Sequence, residues 1–152
     1  MNKFLTIFIV LFTMLQAKEL SLYELNRFKY QTPNEQALTI PNDLKLIIIA
    51  FDKSKGALVN EYLDKKEPTY LKENSAIFIA DVSDVPKFLL GMIALPKLKK
   101  FKHPIYLNVD SEFKKTVPCK DDKITLLFIQ NMTIKDVLYI STLQELEANI
   151  KK

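Results

Sequence analysis

Few side chains in this sequence are equipped for chemistry. It holds one cysteine, Cys119, and one histidine, His103. A lone cysteine cannot close an internal disulfide. Cys119 is therefore a buried apolar side chain, a free thiol or the handle of an intermolecular bond. Only Lys120 stands beside it to favour a thiolate. His103 ends the run Lys97-Leu98-Lys99-Lys100-Phe101-Lys102-His103. Lys97, Lys99, Lys100, Lys102 and His103 make a candidate basic patch for an acidic partner, peptidoglycan, a lipid head group or a phosphate ligand. The same lysines would also suit a solvated helix end, where cations complement the helix C-terminus. With no second His and no nearby Cys, spacing assembles no zinc or copper site around His103.

The acidic residues offer a second arrangement. Asp52, Asp81 and Asp110 fall at or just past the C-terminal ends of predicted strands, with Asp84 close behind Asp81. In open α/β sheets that edge is where ligands bind. Carboxylates gathered there could hold a hard cation or do acid–base work. The competing reading is loop and cap chemistry, for which Asp is favoured at helix starts and turns.

Much chemistry is excluded outright. The chain has only two glycines, Gly56 and Gly91. Phosphate-cradling loops need several, so that backbone N–H groups can approach a pyrophosphate, and neither GxGxxG nor GxxxxGK[ST] occurs. There is no GxSxG, no HExxH and no defensible Ser/His/Asp order. Asn131-Met132-Thr133 matches a glycosylation sequon and is taken as chance. The sequence therefore assigns no catalytic residue, no cofactor and no metal site. The net charge of +4 is mild and gives no case for nucleic acid.

These residues hang on a regular alternation of elements. Residues 18–27 read as a loose arm or short helix. Phe28 to Ile40 reads as a small hairpin around the turn Thr32-Pro33-Asn34-Glu35. Leu44 to Phe51, LKLIIIAF, is a continuous β-branched run, as expected of a strand buried on both faces. Gly56 to Lys66 reads as a helix with Leu58, Val59, Tyr62 and Leu63 on one face. Ala76 to Val82 is a second buried strand. Ser83 or Asp84 would cap the next helix, which runs through Phe88, Leu89, Met92, Ile93 and Leu95 until Pro96 kinks or ends it. Ile105 to Val109 is a strand, Asp110 to Lys123 a polar stretch, and Ile124 to Ile129 a strand whose antiparallel partner is Ile134 to Ile140. Ser141 would cap a last helix, with Gln144 completing a capping box.

The N-terminus reads as an export signal. Lys3 gives a basic start, Phe4 to Leu15 is mostly apolar, and Ala17 offers a small residue for cleavage. A membrane-spanning helix needs about 20 apolar residues, and this run stops at Gln16-Ala17-Lys18-Glu19. The reading is a signal over 1–17, a single domain over 18–152 and a periplasmic location. An uncleaved N-terminal anchor is the alternative. With 48% hydrophobic residues the remainder is long enough for a real core without staples.

The order hairpin, strand, helix, strand, helix, strand, hairpin, helix resembles a thioredoxin-like α/β fold. The stretch ITLLFIQNMTIKDVLYISTLQELEANIKK is similar to the final hairpin and helix of thioredoxins. The stretch FKYQTPNEQALTIPNDLKLIIIAFDK is similar to the opening hairpin and first core strand of peroxiredoxins and exported thiol oxidoreductases. The resemblance implies a central mixed sheet of four to five strands with helices on both faces, plus an N-terminal hairpin. It also implies where redox residues should stand. A CxxC or a peroxidatic cysteine would open the helix after the first core strand, at Gly56 and Val59. A cis-proline would precede the strand at Ile124, where the nearest proline is Pro118. Cys119 lies far along the sequence from that helix. The expectation is a redox-inactive, non-catalytic binding or accessory protein for a periplasmic protein or peptide. The alternatives are an oxidoreductase or peroxiredoxin-like enzyme using Cys119 or a bound cofactor, and a small-ligand or metal-binding protein using the aspartates.

Overall fold

The unbroken apolar run forms β3 (Leu46–Ala50), and all five residues are buried. Such a strand has no polar side to show water, which is why its sequence does not alternate. A computed structural model describes residues 19–151, so the segment read as an export signal lies outside the described residues. β3 pairs in parallel with β4 (Ala76–Asp81) and antiparallel with β6 (Ile124–Gln130). β4 pairs in parallel with β5 (Tyr106–Asn108), and β6 pairs antiparallel with β7 (Thr133–Ile140).

The hairpin strands β1 (Tyr30–Gln31) and β2 (Ala37–Leu38) do not stand apart as expected. β1 pairs antiparallel with β5, so the hairpin extends one mixed sheet of seven strands in the order β2-β1-β5-β4-β3-β6-β7. The expected four to five strands missed this merger because Tyr30 is what drives it. Tyr30 is buried and its hydroxyl donates to the Leu25 carbonyl at 2.7 Å, anchoring β1 on the sheet. Burial, helped by the charge of Asp110, holds that phenol protonated far above its ordinary range.

Helices cover both faces. On one side α2 (Lys53–Asp64), α5 (Leu95–Leu98) and α7 (Leu143–Ile150) pack against Ile48, Phe78 and Leu126. On the other, α1 (Leu22–Leu25) and α6 (Phe113–Thr116) cover Ile47, Ile49 and Leu127. α6 lies inside the stretch read as polar loop, and Phe113 is its fully buried anchor. α3 (Tyr70–Glu73) leads into β4. Among the described residues, no helix is long and apolar enough to cross a membrane.

Three helix starts depart from expectation. α2 begins at Lys53 rather than Gly56, because Asp52 caps it by accepting the Lys55 N–H at 2.8 Å. The last helix is capped by Thr142, with Glu145 at the third position, not by Ser141 and Gln144. Glu145 reaches back to the N–H groups of both Ser141 and Thr142, at 2.8 and 2.9 Å, and only a carboxylate can accept from both so strongly. The helix after β4 is capped neither by Ser83 nor by Asp84. Pro86 occupies the cap position of α4 (Lys87–Leu89), and no side chain bonds the first turn. That helix then widens into a π-helical turn, Leu90–Ala94, before continuing as α5. The Leu95 N–H bonds the carbonyl of Leu90, five residues back. Pro96 follows directly; it has no N–H to give and its ring would crowd the carbonyl four residues earlier, so the wider turn lets the chain pass through it.

Candidate functional site

The edge to which the resemblance assigns its site residues is where β3 and β4 end, α2 begins and the loop before β6 returns. Ala50 at the end of β3 pairs with Ile124 at the start of β6, which sets residues 117–123 beside the first turn of α2. An ion pair spans that junction: Lys55 Nζ lies 3.2 Å from Asp122 Oδ1. The Lys55 side chain is only 9% exposed, whereas that of Asp122 is 87% exposed. The lysine stem is thus packed away and its charge is carried out to the loop. Asp122 itself adopts a left-handed backbone, φ 57°, which Asp tolerates better than most residues. Thr125, fully buried, donates its hydroxyl to the Pro118 carbonyl at 3.0 Å and ties the far side of the loop to the sheet. Among the described residues no peptide bond is cis. Gly56 and Val59, the positions the resemblance gives to the cysteine pair, are both buried.

Cys119 belongs to this same loop, which corrects the expectation that it lies far away. It is half-buried and packs on the α1 and α6 side of the core. Burial pushes its thiol up from its ordinary range. Lys114 pulls the other way, and the carboxylates of Asp121, Asp81 and Asp52 add to the rise. Its separation in sequence hid the fact that it is close enough for the charges of Asp52 and Asp81 to act on it. The nucleophile in thiol chemistry is the thiolate, and every influence here except Lys114 opposes it.

The aspartates are spent on backbone. Asp52 caps α2 as described. Asp81 Oδ1 accepts the Ser83 N–H at 3.0 Å and the Asn108 side-chain amide at 2.9 Å. Asp110 Oδ1 accepts the Glu112 N–H at 3.0 Å. Asp84 is exposed and lies 3.8 Å from Lys114. Among the described residues, no group of three His, Cys, Asp or Glu side chains gathers as metal ligands. The residue that joins two of the strand ends was missed from sequence: Asn108, fully buried at the end of β5. Its amide also donates to the Asp110 carbonyl at 2.9 Å, and its oxygen accepts the Asp110 N–H at 3.3 Å. An Asn closing an apolar strand was the available signal.

The basic patch divides. Lys97, Lys99, Lys100 and Lys102 are exposed, but His103 is buried and is no part of it. Its Nε2 lies 2.8 Å from Asn60 Oδ1, and its ring stacks at a tilt on Phe101 with centroids 5.1 Å apart. Nδ1 is buried without a partner. Desolvation lowers its pKa, with Asp64 opposing weakly, so the neutral ring is favoured.

No family model matches the chain, and no curated protein matches it. Solved structures do. A thioredoxin-like protein from Porphyromonas gingivalis is similar with a TM-score of 0.54 at 14% identity, covering 82% of this chain and 87% of that one. The bacterioferritin comigratory protein of Xanthomonas campestris is similar with a TM-score of 0.53 at 9% identity, over 83% and 89% of the two chains. A SCO1/SenC family lipoprotein from Bacillus anthracis gives 0.51 at 9% identity, over 82% and 90%. At such identities the likeness concerns the fold, and that fold is thioredoxin-like.

Proposed function

We propose that this is an exported thioredoxin-like protein that performs no thiol chemistry and acts by binding a protein or peptide partner. The observation carrying the proposal is the Lys55–Asp122 pair across the junction of the α2 start and the loop before β6. In the redox members that the chain resembles, that junction holds a reactive cysteine beside the substrate-binding loop. Here a packed lysine and a loop carboxylate join the two parts instead. The single cysteine cannot complete a dithiol cycle, and its raised pKa keeps it protonated at neutral pH.

The alternative, an oxidoreductase or peroxidase built on Cys119, draws support from the position of that thiol on the same edge. It needs a thiolate that the surrounding carboxylates disfavour. The reading of a metal or small-ligand protein draws less support, since Asp52, Asp81 and Asp110 each serve a local backbone group and Asp84 lies beside Lys114.

Insulin-reduction and peroxide-consumption assays on the wild type and on Cys119→Ser separate these readings. Both proteins should be inactive, and the thiol should react with a disulfide probe more slowly than free cysteine does. Turnover that disappears in Cys119→Ser would overturn the proposal in favour of the enzyme. Partner capture from an envelope extract should be equal for the two proteins.

A further inference from the structure

The helix between β4 and β5 shows water an unusual outer face. Phe88 is 66% exposed, Met92 76% and Ile93 50%. The sequence pattern runs these residues along one helix with Leu95, and of the four only Leu95 is buried. A π-helical turn, Leu90–Ala94, carries Met92 and Ile93. It fits an extra residue into the turn, and Gly91, Met92 and Ile93 are exposed while Leu90 and Leu95 stay against the core. Three neighbouring large apolar side chains left in water mark a binding surface more than a scattered exposure would.

The segment that carries this patch has charges of one sign, although the exposed Asp84 stands just before it. From Val85 to Val109 the chain carries Lys87, Lys97, Lys99, Lys100 and Lys102 and no Asp or Glu. All five lysines are exposed, and none has an ion-pair partner among the described residues. Elsewhere on the molecule lysines are commonly paired, as Lys66 is with Glu147 and Lys115 with Glu112. Lys87 precedes Phe88, Lys97 lies on the continuing helix four residues beyond Ile93, and Lys99, Lys100 and Lys102 follow the helix end. Protruding apolar side chains on a segment that carries lysines and no carboxylate fit a negatively charged lipid surface. The rings and thioether enter the boundary between head groups and acyl chains, and the lysines meet the head-group charge.

We propose that Phe88, Met92 and Ile93, together with the five lysines of the same segment, form a peripheral docking surface for anionic membrane. It rests on other residues than the α2 edge and does not depend on the function proposed for that edge. The chain has no tryptophan, so Phe88→Trp in the full chain installs a single indole reporter within the patch. Leu138→Trp, on β7 at the opposite edge of the sheet, gives the control. Each is titrated with vesicles of phosphatidylcholine alone and of phosphatidylcholine mixed with an equal part of phosphatidylglycerol. The expected result is a blue shift of the Phe88→Trp emission with the anionic vesicles only, reversed by salt, with no shift at Leu138→Trp. Adding Lys97→Gln, Lys99→Gln and Lys100→Gln to the reporter should raise the lipid concentration for half-shift roughly a hundredfold. These positions are exposed, and an unchanged far-ultraviolet circular dichroism spectrum checks that the fold is intact. The proposal is overturned if the Phe88→Trp emission stays put, if neutral vesicles shift it equally, if the control shifts with it, or if the triple substitution leaves the midpoint where it was.

Discussion

Lys55 Nζ sits 3.2 Å from Asp122 Oδ1 and joins the first turn of α2 to the loop that enters β6. The pair is lopsided, with a lysine packed to 9% exposure and a carboxylate left 87% exposed. An exposed ion pair contributes about 1 kcal/mol at most. Here the buried partner makes the two single substitutions unequal. Lys55→Met keeps the apolar stem and removes the charge, so stability should change little. Asp122→Asn keeps the left-handed backbone and leaves a packed cation without its counter-charge, and should cost about 1 kcal/mol. Urea midpoints for both variants check this. A larger loss for Lys55→Met would mean that the pair holds the junction together.

Gly56 stands in the first turns of α2, at a position the resemblance gives to a cysteine, yet nothing about its backbone requires glycine. It does not adopt a positive φ, and an added Cβ would meet only the Ala50 Cβ, at 4.0 Å. Gly56→Ala should therefore stabilise the protein by about 0.5–1 kcal/mol, through helix propensity and a less free unfolded chain. A rise in thermal midpoint is the readout. A fall would show that the junction with the β6 loop is tighter than its contacts indicate.

Asn108 links the ends of β4 and β5 through three hydrogen bonds, to Asp81 Oδ1, the Asp110 carbonyl and the Asp110 N–H. Asn108→Ala leaves the part-buried Asp110 carbonyl and N–H without this partner and removes a donor from a carboxylate. The expected cost is about 2–3 kcal/mol. Asn108→Asp should cost more, because it sets a second carboxylate against Asp81 in place of an amide donor. Chemical denaturation of the two variants tests both the size and the order.

The parts of this molecule that could be read from sequence are those with a local physical cause. β3, β4 and β6 announce themselves as unbroken apolar runs. The β6–β7 turn does so through its polar Gln130-Asn131 break; Asn131 and Met132 there take φ of 52° and 63°, the left-handed pair of a two-residue hairpin. What stayed hidden depends on contacts distant in sequence. The merger of β1 with β5 rests on Tyr30 reaching Leu25 and pairing with Asn108. The exposed Met92 and Ile93 lie on a π-helical turn next to Pro96 that apolar periodicity cannot register. Cys119 reaches the α2 edge only because β6 returns antiparallel to β3. At the candidate site the sequence names Gly56 and Val59 as the residues at the positions the resemblance gives to a cysteine pair, while the ion pair that spans their junction was not legible.

His103 gives a pH dependence whose sign follows from its burial. Its ring is packed on Phe101 with Nε2 at Asn60 Oδ1, and Nδ1 has no partner. The charged group acting on it is Asp64, which favours protonation. Desolvation dominates and lowers the folded pKa below the ordinary value of 6.5. In the window between the lowered folded value and 6.5 the unfolded chain binds the proton more readily, so stability rises with pH there. The contribution of the neutral ring is complete above the unfolded pKa and is lost as pH falls through the folded one. Lowering the pH from about 7.5 to about 5.5 should therefore lower the urea midpoint of the wild type more than that of His103→Gln, which keeps a donor for Asn60 but does not titrate. Equal losses in the two proteins would place the pH sensitivity elsewhere, in carboxylates such as Glu147 that are stabilised by Lys66 and Lys151 in the fold.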